Sequence, residues 1–150
     1  ANLAIRGDGI FVVGALGVIG KQTAVYTKLS LDGKPDQSFN RGEPLSIPLG
    51  EGNIGSYVIP LESGLSIGIG TTFGDTSALT LSRINADGTL DTTFGEQGSV
   101  LTKVPGYLFT SFAEEIKDDE GTDSKLLIGG WVLNPRPGEK TSFWISRYLT

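Results

Sequence analysis

Histidine, cysteine and methionine are all absent from this chain of 150 residues. Without histidine there is no imidazole base, no serine–histidine dyad and no histidine-ligated metal. Without cysteine there is no thiol nucleophile, no disulfide and no thiolate metal site. Carboxylates, lysine, tyrosine, serine and threonine are the groups left for chemistry. We therefore expect a protein that is not an enzyme.

Positive charge is also scarce. The chain has 12 Lys and Arg against 17 Asp and Glu, which gives a net charge of −5 and a pI near 4.6. Binding to a phosphate backbone needs clustered Lys and Arg, so nucleic acid is an unfavourable partner. No run of about twenty apolar residues is present, so no helical membrane span is expected. A charged fraction of 19% indicates a globular chain.

One segment of the sequence occurs twice. Residues 29–40 return as residues 84–95, with an Asp-Gly pair, a second Asp and a Phe at matching offsets of 55 residues. A repeat of this length is typical of solenoids, propellers and other arrays, in which one unit cannot bury its apolar face alone. The residues that we assign to this structural turn are Asp32, Gly33, Asp36 and Phe39 in the first copy and Asp87, Gly88, Asp91 and Phe94 in the second.

Each unit has the pattern of β-strands. Short β-branched and aromatic runs alternate with turn residues, and no sustained helical period is present. The pattern predicts an all-β chain of about three repeats, at approximately 1–55, 56–110 and 111–150, each an antiparallel four-stranded sheet. Extra residues in the third copy, at 120–124 and 134–140, are assigned to hairpin loops. The predicted strands are 2–6, 10–16, 23–30, 44–49, 54–62, 65–72, 77–85, 99–104, 107–117, 125–133 and 141–149.

The repeat resembles a known family. Residues 84–98, together with the Asp-Gly, apolar run and Gly of residues 8–14, are similar to the delta-60 repeat, a bacterial β-propeller-like repeat. The resemblance implies four-stranded β-propeller blades around an axis, in secreted or surface proteins. It carries no catalytic residues. We therefore expect an extracellular, cell-surface or periplasmic protein.

Three blades are too few to close a ring, because known propellers use about four or more. The third copy stops just before another Asp-Gly turn would begin. We therefore interpret residues 1–150 as a single β-propeller-like domain belonging to a longer chain. Its open flanks would be covered by the remaining repeats or by self-association.

The paired carboxylates Asp32/Asp36 and Asp87/Asp91 allow two interpretations. Two close carboxylates are typical of a glycosidase or a calcium site. Residues that recur with every unit are explained more simply as part of the turn. Lys28, Arg83 and Arg147 occupy one column of the repeat, and we expect these cations to pair with the turn carboxylates. A cationic ring that faces an anionic ligand is the alternative.

Residues 114–123 form the most acidic stretch of the chain. Hard oxygen ligands around a loop that contains glycine would suit Ca²⁺. The spacing does not match an EF-hand, and an enlarged solvated hairpin loop is the alternative. The candidate metal ligands are Asp118, Asp119, Glu120 and Asp123.

Four aromatic residues near the C-terminus are candidates for ligand binding. They are Tyr107, Trp131, Trp144 and Tyr148. Aromatic rings of this kind could stack on a sugar, or they could fill a gap in the core or a subunit edge. The function that we expect is a non-enzymatic binding scaffold with protein or glycan partners. The alternatives are a carbohydrate-binding module and a carboxylate-based hydrolase completed by residues outside this segment.

Overall fold

A computed structural model describes residues 1–49, 52–73, 77–104, 106–117, 121, 124–133 and 140–149. As the sequence predicts, the chain is all-β and its strands are antiparallel. None of its described segments is a helix that is long and apolar enough to cross a membrane. The strands are β1 (Asn2–Arg6), β2 (Gly9–Leu16), β3 (Thr23–Ser30), β4 (Leu45–Ile47), β5 (Ile54–Pro60), β6 (Ser66–Thr72), β7 (Ser77–Ile84), β8 (Ser99–Val104), β9 (Tyr107–Lys117), β10 (Ser124–Leu133) and β11 (Ser142–Leu149).

The strands form three sheets in which sequence neighbours pair. Sheet 1 has the order β1-β2-β3-β4, and sheet 2 has the order β5-β6-β7-β8. Sheet 3 contains β9-β10-β11, so its described part has three strands where the repeat predicts four. The edge strand β4 is also shorter than predicted. A 3-10 turn at Asn40–Gly42, with positive φ at Asn40 and Arg41, precedes it.

The sheets stack in chain order, with sheet 2 in the middle. Because side chains alternate across a strand, each sheet has two faces. One core lies between sheets 1 and 2, and it joins Val13 and Tyr26 to Val58 and Ile84. The other core lies between sheets 2 and 3 and includes Ile69, Leu81, Leu126 and Ile128. Almost every residue of β6 and β7 is therefore buried, whereas β11 alternates between exposed and half-buried.

The repeat is visible in the backbone as well as in the sequence. In sheet 2 the pairing of β5 with β6 shifts at Ser56. In sheet 3 the pairing of β9 with β10 shifts at Ser111, one period later. The Tyr57 hydroxyl donates a hydrogen bond of 2.6 Å to the Ser111 carbonyl, which ties the two irregular positions together. The first strands of the sheets thus lie beside one another.

Candidate functional site

Both repeated loops are held by a carboxylate and a cation of the preceding strand. In the first loop (residues 36–39), Asp36 lies 2.8 Å from Lys28 Nζ, and its other oxygen accepts the Ser38 N–H at 2.9 Å. In the second loop (residues 91–94), Asp91 accepts a hydrogen bond from Arg83 Nε at 2.8 Å and another from the Thr93 N–H at 3.0 Å. These contacts match the structural interpretation of the paired carboxylates.

These contacts keep both carboxylates ionised. The Lys28 ammonium, followed by the Ser38 hydroxyl and N–H, lowers the pKa of Asp36 to about 2. Hydrogen bonds from the Thr93 hydroxyl and N–H, and then from Arg83, lower the pKa of Asp91. A glycosidase acid needs a raised carboxyl pKa, because it must hold a proton at working pH. Both shifts run the other way, which suits a structural role.

The turns that precede these loops have matching backbones but different surroundings. In the first turn (residues 32–33), Gly33 has φ +81°, and a Cβ at this position would have open space around it. In the second turn (residues 87–88), Gly88 has φ +80°, and a Cβ would lie 2.5 Å from the Asn40 nitrogen. The second turn therefore rests on the end of the first loop. The Asn40 N–H donates a 2.7 Å hydrogen bond to the Asp87 carbonyl.

Arg147 is the third cation of the column. It pairs with Leu127 across β10 and β11, as Arg83 pairs with Ile67 and Lys28 pairs with Phe11 in the other sheets. The side chain is exposed, and it forms no ion pair with any other described residue. Arg147 thus stands where its two counterparts each hold a carboxylate.

The outer face of sheet 3 is apolar around Arg147. Phe143 is 71% exposed, Ile145 is 56% exposed and Leu149 is 74% exposed, and all three alternate with side chains that point toward sheet 2. The opposite end of the stack is similar, because Leu3 and Ile5 of β1 are exposed on the outer face of sheet 1. Contiguous exposed apolar surface is typical of an interaction site.

The first strands line a groove of about 570 Å³. At one end, Arg6 lies 3.2 Å from both Glu62 and Glu115, and Lys117 also bonds to Glu62. The Lys117 ammonium, and then Arg6, lower the pKa of Glu62. Both cations of this groove are therefore paired with carboxylates.

This network was not predicted from the sequence, although the sequence contains a signal for it. Glu62 and Lys117 carry opposite charges and stand one period of 55 residues apart. Arg6 lies close to one period before Glu62. In a stack of repeats, residues one period apart are neighbours, so opposite charges at this spacing predict an ion pair between units.

The four candidate aromatic residues do not gather on one face. Trp144 and Tyr148 point toward sheet 2 and pack against the core between sheets 2 and 3. Tyr107 and Trp131 lie on the exposed side of sheet 3. A single platform made of all four is therefore wrong, because strand alternation separates them.

Trp144 fills space in the core opposite a glycine. It pairs with Gly130, just as Thr80 pairs with Gly70 in sheet 2 and Val25 pairs with Gly14 in sheet 1. The third sheet thus places a large ring where the others have small side chains. Its Nε1 is buried and has no hydrogen-bond partner.

A different aromatic pair, of which one ring is exposed, lies on sheet 3. Trp131 is 39% exposed and stacks on Phe109, with ring centroids 4.1 Å apart and planes 14° apart. Phe143 lies across from Trp131 on β11. Trp131 and Phe143 are therefore exposed, whereas Phe109 is half-buried and also lies 6.3 Å from the Phe73 ring; the sequence identified only Trp131 of these residues.

The four proposed calcium ligands, Asp118, Asp119, Glu120 and Asp123, lie outside the described residues. Across the ranges that the structure does describe, no group of three or more carboxylates is arranged to hold a metal ion. The calcium hypothesis stays a prediction.

Comparisons of the chain with protein-family models, with curated proteins and with solved structures found no match.

Proposed function

We propose that this chain is a non-enzymatic scaffold of a β-propeller type, from a secreted or surface bacterial protein, which binds other polypeptides through its end faces. The three sheets are proposed to be neighbouring blades, with β1, β5 and β9 nearest the axis. The resemblance to the delta-60 repeat and the contacts between these first strands support this arrangement.

One observation carries the proposal. The face of sheet 2 that meets sheet 3 contributes Ile69, Leu79 and Leu81, all buried. The outer face of sheet 3 has Phe143 and Ile145 at the positions of Leu79 and Leu81, and both are exposed. The equivalent apolar face is therefore buried in sheet 2, inside the stack, and exposed to solvent in sheet 3, at its end. Burial of such a face is favourable by roughly 25 cal/mol per Å².

Sedimentation velocity over a range of concentrations tests this proposal. Wild-type chain is expected to self-associate reversibly, because a second copy can cover the open face. Ile145→Glu places a charge in that face and should give a monomer. Ile19→Glu is the matched control, because Ile19 is 96% exposed in the β2–β3 loop of sheet 1 and is not part of the outer face of sheet 3. A wild-type monomer that binds no apolar dye, and that Ile145→Glu leaves unchanged, would contradict the proposal.

A carbohydrate-binding role is the second candidate, favoured by the stacked pair of Phe109 and Trp131. An exposed indole can present its face to a sugar ring. A glycan array would detect such binding, and Trp131→Ala should abolish it while Ile19→Glu should not. An array without a signal above background would remove this candidate.

A further inference from the structure

We propose that the interface between sheets 2 and 3 contains a binding site for ordered water, which hydrogen-bonds buried polar side chains that face this interface from both sheets. The site lies inside the stack and is built by residues of this chain alone. It therefore does not depend on the end faces through which the chain is proposed to bind other polypeptides.

Buried polar atoms without partners indicate the site. In the described part of the chain, the buried side-chain atoms that have no hydrogen-bond partner are Thr71 Oγ1, Ser77 Oγ, Thr110 Oγ1 and Trp144 Nε1. Such atoms are rare in folded proteins, because nothing compensates for the water that they lose on burial. Ordered internal water is a common partner for groups of this kind.

Two of these atoms belong to sheet 2. Thr71 pairs with Leu79 across β6 and β7, and Ser77 lies two residues before Leu79 on β7. Cross-strand partners share a face of the sheet, and so do residues two apart on one strand. Because Leu79 belongs to the core between sheets 2 and 3, Thr71 and Ser77 both face sheet 3.

The other two atoms belong to sheet 3. Trp144 packs against the core between sheets 2 and 3, so its side chain faces sheet 2. Trp144 pairs with Gly130 on β10, and Gly130 pairs on its other side with Thr110 on β9. Thr110 therefore lies on the same face as Trp144. All four atoms thus face one interface.

The interface between sheets 1 and 2 contains a side chain that satisfies its polar groups. Buried Asn53 donates a hydrogen bond of 3.3 Å to the Ile47 carbonyl and accepts one of 3.4 Å from the Thr80 hydroxyl. Thr80 is the register counterpart of Trp144. One period after Asn53, the chain has Leu108, which is buried and has no polar side-chain atom. At this position the second interface therefore offers no internal hydrogen-bond partner.

The chemistry of the four groups fits water. Each hydroxyl can donate and accept a hydrogen bond, and the indole N–H can donate one. Buried water typically makes about three hydrogen bonds to groups of this kind. A buried ion would need a charged partner, and none of the four groups carries a charge.

Magnetic relaxation dispersion of the water oxygen tests the inference. The method detects water that stays in a protein longer than the protein takes to tumble, and it does not detect hydroxyl protons. Relative to wild-type chain, the double variant Thr71→Val/Thr110→Val should lose the contribution of at least one water, because valine keeps the shape of threonine without its hydroxyl. Thr27→Val, on β3 of sheet 1, is the matched control and should lose nothing.

The stability of Thr71→Val gives a second measurement. If water bonds to the Thr71 hydroxyl, the variant loses a hydrogen bond, and its unfolding equilibrium constant should rise about fivefold. A hydroxyl without any partner would give the opposite result, because valine would then remove an uncompensated polar group. Urea unfolding followed by circular dichroism measures the change.

Three results would overturn the inference. The first is equal relaxation in wild-type chain and the double variant, and the second is a lower unfolding constant in Thr71→Val than in wild type. The third is a destabilised Thr71→Val whose double variant keeps the full relaxation, because direct hydrogen bonds among the four groups would produce it. Self-association in sedimentation velocity tests the proposed function separately.

Discussion

The first and second loops share one sequence pattern and one ion pair, but they differ in burial. Phe39 is 2% exposed, whereas Phe94 is half-buried. The difference comes from the second turn, which lies on the first loop and brings Gly88 against Asn40 and Phe39. No described turn covers the second loop in the same way. The first loop is therefore completed by the unit that follows it in the stack.

The two turns that precede the loops differ in what lies beneath them. Gly33 has no neighbour within 4 Å of the position of a Cβ, because no described loop lies beneath the first turn. Gly88 has such a loop beneath it. The stack thus has a direction, because the turn of the second unit covers the loop of the first unit, whereas the turn of the first unit covers no described loop.

The largest expected effect on stability is the difference between the alanine variants of the two phenylalanines, Phe39 and Phe94. Phe39→Ala should lower the free energy of unfolding by about 3–5 kcal/mol, as is usual for a fully buried ring. Phe94→Ala should cost about half as much, because its ring is only half-buried. Urea unfolding followed by circular dichroism measures both. Equal losses would contradict the inference that the second unit buries Phe39 by covering the first loop.

A smaller effect is expected from the two turn glycines. Alanine at either position should cost about 1–2 kcal/mol, because positive φ is unfavourable for a residue with a Cβ. Gly88→Ala should lose about 1–3 kcal/mol more than Gly33→Ala, because its Cβ overlaps the Asn40 backbone. The same unfolding measurement gives the difference, and Gly33→Ala is the matched control. Identical losses would mean that the second turn does not press on the first loop in solution.

The smallest effect concerns the charge of the first loop. The pKa of Asp36 is lowered to about 2, so its ion pair stabilises the fold fully above the ordinary pKa of 3.8 and is lost as pH falls through 2. Asp36→Asn should destabilise the chain by about 1 kcal/mol at pH 7. That difference from wild type should shrink between pH 4 and pH 2. A difference that is constant over this range would show that the Lys28 contact is absent.

The sequence predicts the strands and loops well because their signals are local. Asp-Gly pairs fix the turns, and alternating apolar residues fix the strands. The spacing from Lys28 to Asp36 recurs from Arg83 to Asp91, so both ion pairs follow from the pattern.

Contacts between units were harder to predict. Arg6, Glu62 and Lys117 come together because β1, β5 and β9, the first strands of the three sheets, lie side by side. The residue pattern within a single strand does not contain this information. The inward orientation of Trp144 depends on its register opposite Gly130. The four residues were grouped because they are aromatic, whereas side-chain alternation along β10 and β11 places Trp131 and Trp144 on opposite faces of sheet 3.

Native-state hydrogen exchange at Asn40 and Gly95 tests the directional stack most directly. These residues stand one period apart, and both have positive φ, of 45° and 57°. The Asn40 N–H donates to the Asp87 carbonyl, and the described residues give the Gly95 N–H no backbone acceptor. The account predicts a protection factor on the order of 100-fold larger at Asn40 than at Gly95. Equal protection at the two amides would contradict it.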